Sequence, residues 1–154
     1  MSTLIRGTGS ALPERVISNA DLEKMVETND EWIVTRTGIR ERRMLAPEEA
    51  TSDIVTRAAQ RALEQAGLAP DDLDLIVVAT CTPDTFTPAT ANHVHRNLCR
   101  GSTIPAFDVN AACSGFVYGL EVVTSMLQSG GYRRALLAGG EGLTARLAAV
   151  AGHA

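Results

Sequence analysis

The 154-residue sequence has no apolar run near the ~18 residues that a membrane-spanning helix needs, so a membrane role has no support in it. It has no basic excess either. Fourteen Lys and Arg stand against 18 Asp and Glu, a formal charge of -4, which argues against a whole-protein electrostatic footprint for nucleic acid and makes any anion site a local one. The three cysteines, Cys81, Cys99 and Cys113, are odd in number and lack CxxC spacing, and the N-terminus has no signal-like character. Free thiols in a reducing cytoplasm are expected. Gly7-Thr8-Gly9 lacks the third glycine of a dinucleotide fingerprint, and no phosphate-binding P-loop is present. There is no internal repeat, linker or low-complexity tract.

What is there is ordinary globular material. Apolar residues at 45% and charged residues at 21% suit a chain that folds, and the length is that of one domain. A strand-like run at residues 3–6 leads into Gly7, Gly9, Ser10 and Pro13, and Asn19 is placed to cap a helix over residues 20–26. A second short helix is expected over residues 30–35, ending at Thr37-Gly38 before the basic stretch 39–44. The clearest helix spans residues 53–66, where Ile54, Ala58, Ala62 and Ala66 recur every fourth position, with Ser52 as N-cap and Gly67 at the other end.

After the turn Pro70-Asp71-Asp72, residues 75–80 read LIVVAT, an apolar β-branched run without alternation, as in a strand covered on both faces. Thr87-Pro88 supplies an N-cap and first-turn proline for a helix ending near residue 98. A short strand at 106–109, a helix at 116–128 with Val117, Leu120, Val123, Thr124 and Leu127 along one side, and a buried strand at 135–138 complete the pattern. Strands alternating with helices predict an α/β fold with a largely parallel sheet.

Cys113 lies in Asn110-Ala111-Ala112-Cys113-Ser114-Gly115-Phe116, at the expected start of the long helix. Unpaired helix N–H groups and the macrodipole stabilise negative charge there, which favours a nucleophilic thiolate and could hold a developing oxyanion. Gly115 and the alanines let a substrate carbonyl approach without a Cβ clash. The plainer reading is a small cysteine filling a tight strand-helix contact. Cys81, ending a strand, and Cys99, near a helix end, read as structural. His93 and His95 are two apart on a helix, about 200° around its axis, so they cannot share one metal ion, and no metal site is expected.

Residues 35–43, TRTGIRERR, carry four arginines and one glutamate. With Trp32 beside them they could bind a phosphate-bearing ligand, guanidinium to phosphate and indole to base, or simply form a solvated, salt-bridged face.

Several segments together resemble the N-terminal half of β-ketoacyl-acyl carrier protein synthase III, a thiolase-like condensing enzyme family. They are GTGSALPE at 7–14, NADLEKMV at 19–26, TNDEWIVTRTGIRER at 28–42, LIVVAT at 75–80 and PAFDVNAACSGF at 105–116. The resemblance covers residues 1 to about 146 and treats 1–154 as one N-terminal condensing-enzyme domain. It implies a thiolase-like fold of two similar halves, of which this is the first. It also implies acyl transfer from acyl-coenzyme A to Cys113, then decarboxylative condensation with malonyl-acyl carrier protein, in fatty acid or polyketide initiation.

By the same resemblance Trp32 and Arg36 contact the coenzyme A nucleotide, with Thr28 and Thr37 nearby. Thr87 matches a residue that reaches across a dimer into the partner's acyl pocket, where a bulky aromatic accompanies short primers, so threonine implies room for primers longer than acetyl. No bound cofactor is required; acyl-coenzyme A is a substrate, and a homodimer or a second half is the implied partner. The family's catalytic histidine and asparagine belong to its second half and have no counterpart in these residues, and His153 lies in 143–154, where the pattern has lapsed. Condensation by these 154 residues alone is therefore not expected. The alternative is a non-catalytic truncated homologue serving as a dimerisation or protein-binding module.

Overall fold

A computed structural model describes residues 3–99 and 101–143, so Arg146 and His153 lie outside the described residues. The chain forms two compact units.

The smaller unit is drawn from residues 12–49. Strand β1 (Arg15–Ser18) runs into the single-turn helix α1 (Asn19–Leu22), followed by α2 (Asp30–Thr37) and β2 (Glu41–Met44). β1 and β2 pair antiparallel, Arg15 opposite Met44 and Ser18 opposite Glu41. This pair is not legible in RVIS and ERRM, whose side chains are mostly exposed or half-buried. The expected helix over 20–26 is corrected at both ends. Ser18, not Asn19, is the cap: its hydroxyl accepts from the Asp21 amide while the Asp21 carboxylate accepts from the Ser18 amide, a reciprocal box. The helix stops at Leu22 because nothing packs on the continuation: Met25 and Val26 are exposed, and Glu23 turns away to accept from the Asp30 amide. α2 ends as expected, on Gly38 in the left-handed region at φ 71°.

The larger unit comprises residues 1–11 and 50–141. It holds α3 (Thr51–Ala66), β3 (Leu75–Ala79), α4 (Thr90–Leu98), β4 (Ala106–Val109), α5 (Gly115–Gln128) and β5 (Ala135–Gly139). The strands form one parallel sheet in the order β4-β3-β5, with Ala79 level with Val109 on one side and Gly139 on the other. β3 is buried along its whole length and divides its side chains between two cores. Ile76 and Val78 face α3 and α4 residues Val55, Ala59, Leu63, Ala91 and Val94. Leu75 and Val77 face Val123 of α5, with Met126, Leu127 and Leu137 packed alongside. The result is the predicted α/β layering of helices on both faces of a parallel sheet.

Four expectations need correction here. Residues 3–6 are not a strand: no ladder reaches them, Leu4 and Ile5 are exposed, and the chain lies along α3 instead. The contact is close enough that a Cβ on Gly7 or Gly9 would strike the carbonyl oxygens of Ala62 and Ala58. α3 begins two residues early, with Ala50 as N-cap and its amide given to the Asp53 carboxylate, so Ser52 lies buried inside the helix with its own amide on Asp84. α4 begins at Thr90, not after Thr87. The carboxylate of Asp108 reaches across from β4 and takes the Thr90 and Ala91 amides, both at 2.8 Å, which supplies the cap from another element. β5 is only partly covered, with Leu136 its one buried residue. Among the described residues no helix is long and apolar enough to cross a membrane.

Candidate active site

The carboxyl ends of β3, β4 and β5 lie side by side, and the chain leaves each of them within a few residues of a polar or nucleophilic group: Cys81 after β3, Cys113 after β4 and Glu141 after β5. That edge is where open parallel sheets carry their ligands. Cys113 sits in a single 3-10 turn, Ala112–Ser114, that feeds directly into α5. Its thiol is exposed. The turn is sharp because Ala112 takes a left-handed φ of 46°, an uncommon conformation for a residue with a side chain, and because Gly115 comes close to the strands. A Cβ at Gly115 would meet the Ala79 methyl at 3.4 Å. The Ser114 side chain makes no capping bond, so the amides at the start of α5 are not spent on it. An exposed thiol in front of a 14-residue helix, on a backbone bent to present it, has a geometry in which a thiol can attack a carbonyl.

Around it the edge is tied together by hydrogen bonds. The Glu141 carboxylate accepts from the Cys81 amide at 3.0 Å, the Thr82 hydroxyl at 2.8 Å and the Cys81 thiol at 3.3 Å. Thr51, at the start of α3, donates to the Thr82 carbonyl at 2.7 Å. The hydrogen bond to Glu141 pushes the Cys81 thiol above the ordinary thiol value, with desolvation, the Glu141 charge and the neighbouring Cys113 thiol acting in the same direction. Cys99 is buried in the core, donates to the Pro70 carbonyl and is also pushed up, mainly by burial. Thr87 is exposed and is joined to Pro88 by a cis peptide bond in the loop before α4. His93 and His95 bond separately, to Thr85 and Ser102.

In the smaller unit α2 carries the sequence-predicted nucleotide residues. The Asn29 side chain caps it by accepting from the Trp32 amide, and the Arg36 guanidinium lies 4.5 Å from the centre of the half-exposed Trp32 ring. Thr28 is half-buried just before the helix, whereas the Thr37 hydroxyl is occupied in closing it, donating to the Ile33 carbonyl and accepting from the Ile39 amide. The basic cluster does not act as one patch. Arg42 is turned inward onto the Asn19 side chain and the Ile17 carbonyl, and Arg43 onto the Pro13 and Glu14 carbonyls, so these two are structural. Sequence reasoning missed Glu141, which ties the end of β5 to that of β3, and Asp108, which caps α4 from β4. An aspartate in the middle of the apolar segment AFDV was the available signal for the second.

The parallel sheet with a cysteine turn at its carboxyl edge has the thiolase-like fold of condensing enzymes. Superposed on 3-oxoacyl-acyl carrier protein synthase III of Aquifex aeolicus VF5, the chain gives a TM-score of 0.86 at 47% identity, over 93% of this chain and 46% of that one. The family 3-oxoacyl-acyl carrier protein synthase III matches residues 107–149. The chain is 54% identical over 140 residues to β-ketoacyl-acyl carrier protein synthase III of Caldanaerobacter subterraneus subsp. tengcongensis, covering 91% of this chain and 42% of the relative. The corresponding enzyme of Thiobacillus denitrificans is 53% identical, over 91% of this chain and 44% of that protein. The chain thus corresponds to the N-terminal half of the β-ketoacyl-acyl carrier protein synthase III family, and spans less than half the length of the relatives it matches.

Proposed function

We propose that this chain carries the acyl-accepting half-site of a β-ketoacyl-acyl carrier protein synthase III of the cytoplasm. The Cys113 sulfur attacks the thioester carbonyl of acyl-coenzyme A, the oxyanion is held by amides at the start of α5, and coenzyme A leaves as its thiolate. In the complete reaction malonyl-acyl carrier protein then loses carbon dioxide, its carbanion attacks the acyl group, and the Cys113 thiolate is released. Trp32 and Arg36 are the proposed contacts of the coenzyme A nucleotide, with Thr28 and Thr37 nearby, and Thr87 lines the acyl pocket of a dimer partner. No resident cofactor is needed. The observation that carries this reading is the exposed Cys113 in its left-handed turn ahead of α5.

A binding or dimerisation module is the second reading, favoured by the exposed Phe116, Val117, Tyr118 and Leu120 on α5. Incubation with a radiolabelled short acyl-coenzyme A, followed by peptide mapping, separates the two. The expected result is a thioester on the Cys113 peptide that is lost in Cys113→Ala. Absence of label at Cys113, or equal label in the variant, overturns the catalytic reading.

A further inference from the structure

Two of the three thiols are exposed at the same sheet edge, and one of them, Cys81, donates to the Glu141 carboxylate. Glu141, two residues past β5, takes the Cys81 thiol with one oxygen, the Cys81 amide with both, and the Thr80 and Thr82 hydroxyls, so it grips the residues leaving β3 at four donors. The other carboxylates of this edge are committed elsewhere: Asp84 accepts from the Ser52 amide at the start of α3, and Asp108 from the Thr90 and Ala91 amides of α4. Glu141 and the Cys113 thiol are therefore the titratable groups that act on Cys81.

We propose that Glu141 is a positioning residue that holds Cys81 as a neutral, hydrogen-bond-donating thiol and pins the 80–82 segment at the mouth of the site, so that Cys113 is the only reactive thiol of the pair. The physical case is simple. A thiol that donates to a carboxylate loses that bond on ionisation and gains a like charge beside it, so ionisation is opposed twice. A second thiolate at this edge would compete for the acyl group. The inference deepens the acyl-transfer reading by naming what selects the nucleophile, but its chemistry concerns Cys81 and is read separately.

The test is the rate of iodoacetamide labelling at each cysteine as a function of pH, resolved by peptide mass mapping, in the full chain and in Glu141→Gln. Glutamine can still accept from the amide but carries no charge. Labelling of Cys81 is expected to move to lower pH in the variant, its rate at a fixed pH rising about tenfold for each unit of movement, while Cys113 keeps its profile. Coincident Cys81 profiles in the two proteins overturn the proposal. Should the variant not fold, the unaltered chain decides: native Cys81 must label at higher pH than the same residue in the guanidinium-unfolded chain, and a midpoint at or below the unfolded one overturns it. Failure of acyl-coenzyme A to label Cys113 would sink the acyl-transfer reading and leave the Cys81 profiles as they are.

Discussion

At the residue scale the chemistry depends on small numbers of groups whose partners are far away in sequence. Cys113 could be singled out from NAACSGF because the reasons for its placement are local: small neighbours, a following helix and a turn. Glu141 could not, because nothing in GGEG says that β5 lies beside β3. The arginines divide along the same line. Four positions look alike in TRTGIRERR, and only the folded chain turns Arg42 onto Asn19 and ties Arg43 to the Glu14 carbonyl while laying Arg36 on Trp32. If Arg36 holds coenzyme A phosphate, Arg36→Ala removes charged hydrogen bonds worth ~1.5–3 kcal/mol, a loss of roughly tenfold or more in affinity. Calorimetry with coenzyme A checks it, and unchanged affinity would take α2 out of the binding site.

Asp21 gives a second residue-scale expectation. The Ser18 hydroxyl, then Lys24, then the Ser18 amide hold its carboxyl at about 2 in place of 3.8. A depressed carboxyl stabilises the fold above its unfolded value, so this contribution is complete above pH ~4 and disappears as the pH falls through about 2. In Ser18→Ala the Asp21 titration, followed by NMR, is expected to move up toward 3.8. A titration that stays near 2 would mean that Ser18 is not the main cause.

Elements were legible where their signals were internal. β3, β4, α2 and the course of α5 follow from apolar runs, periodicity and Gly38, and the structure places them within a residue or two of expectation. Two of the misses share a cause, a deciding partner that lies elsewhere in the chain, whereas α1 and α3 start on local pairs, Ser18 with Asp21 and the Ala50 amide with Asp53. Asp108 caps α4 from a neighbouring strand, and the run at 3–6 has strand composition without a ladder to join. What fixes that N-terminal segment is instead the fit of Gly9 against α3, where a side chain would meet the Ala58 carbonyl. Gly9→Ala is expected to lower stability by about 1–3 kcal/mol, seen as a lower denaturant midpoint. Gly131→Ala, whose nearest neighbour is the Ser129 hydroxyl at 3.8 Å, serves as the tolerant control. Equal midpoints for the two variants would show that the contact with α3 carries no weight.

On the scale of the molecule, the α/β class with a parallel sheet was legible, and the division into two compact units was not, because the β1–β2 pair that organises the smaller one has little apolar character. The apolar side of α5 through Val117, Leu120, Val123 and Leu127 is covered along only part of its length. Val123 is buried against β3 and Leu127 packs beside it, whereas Phe116, Val117, Tyr118 and Leu120 of the first turns stand in solvent. Covering such side chains is worth ~1.5–3 kcal/mol each at full burial, enough to drive association of a chain with ordinary net stability. Sedimentation of the 154-residue chain is expected to show concentration-dependent self-association that Val117→Glu weakens. A monomer at all concentrations would count against this.

The position of β5 at the end of the sheet order has a kinetic side. Among the described residues no strand pairs with its flank away from β3, which makes it an edge of the described sheet, and Ala-Leu-Leu-Ala-Gly carries no charge. Such an edge accepts whichever extended chain arrives first. During renaturation from denaturant, recovery of this chain becomes a race between closing its own sheet and zippering onto another copy, and dilution, which slows only the second, is what tilts the race toward the native form.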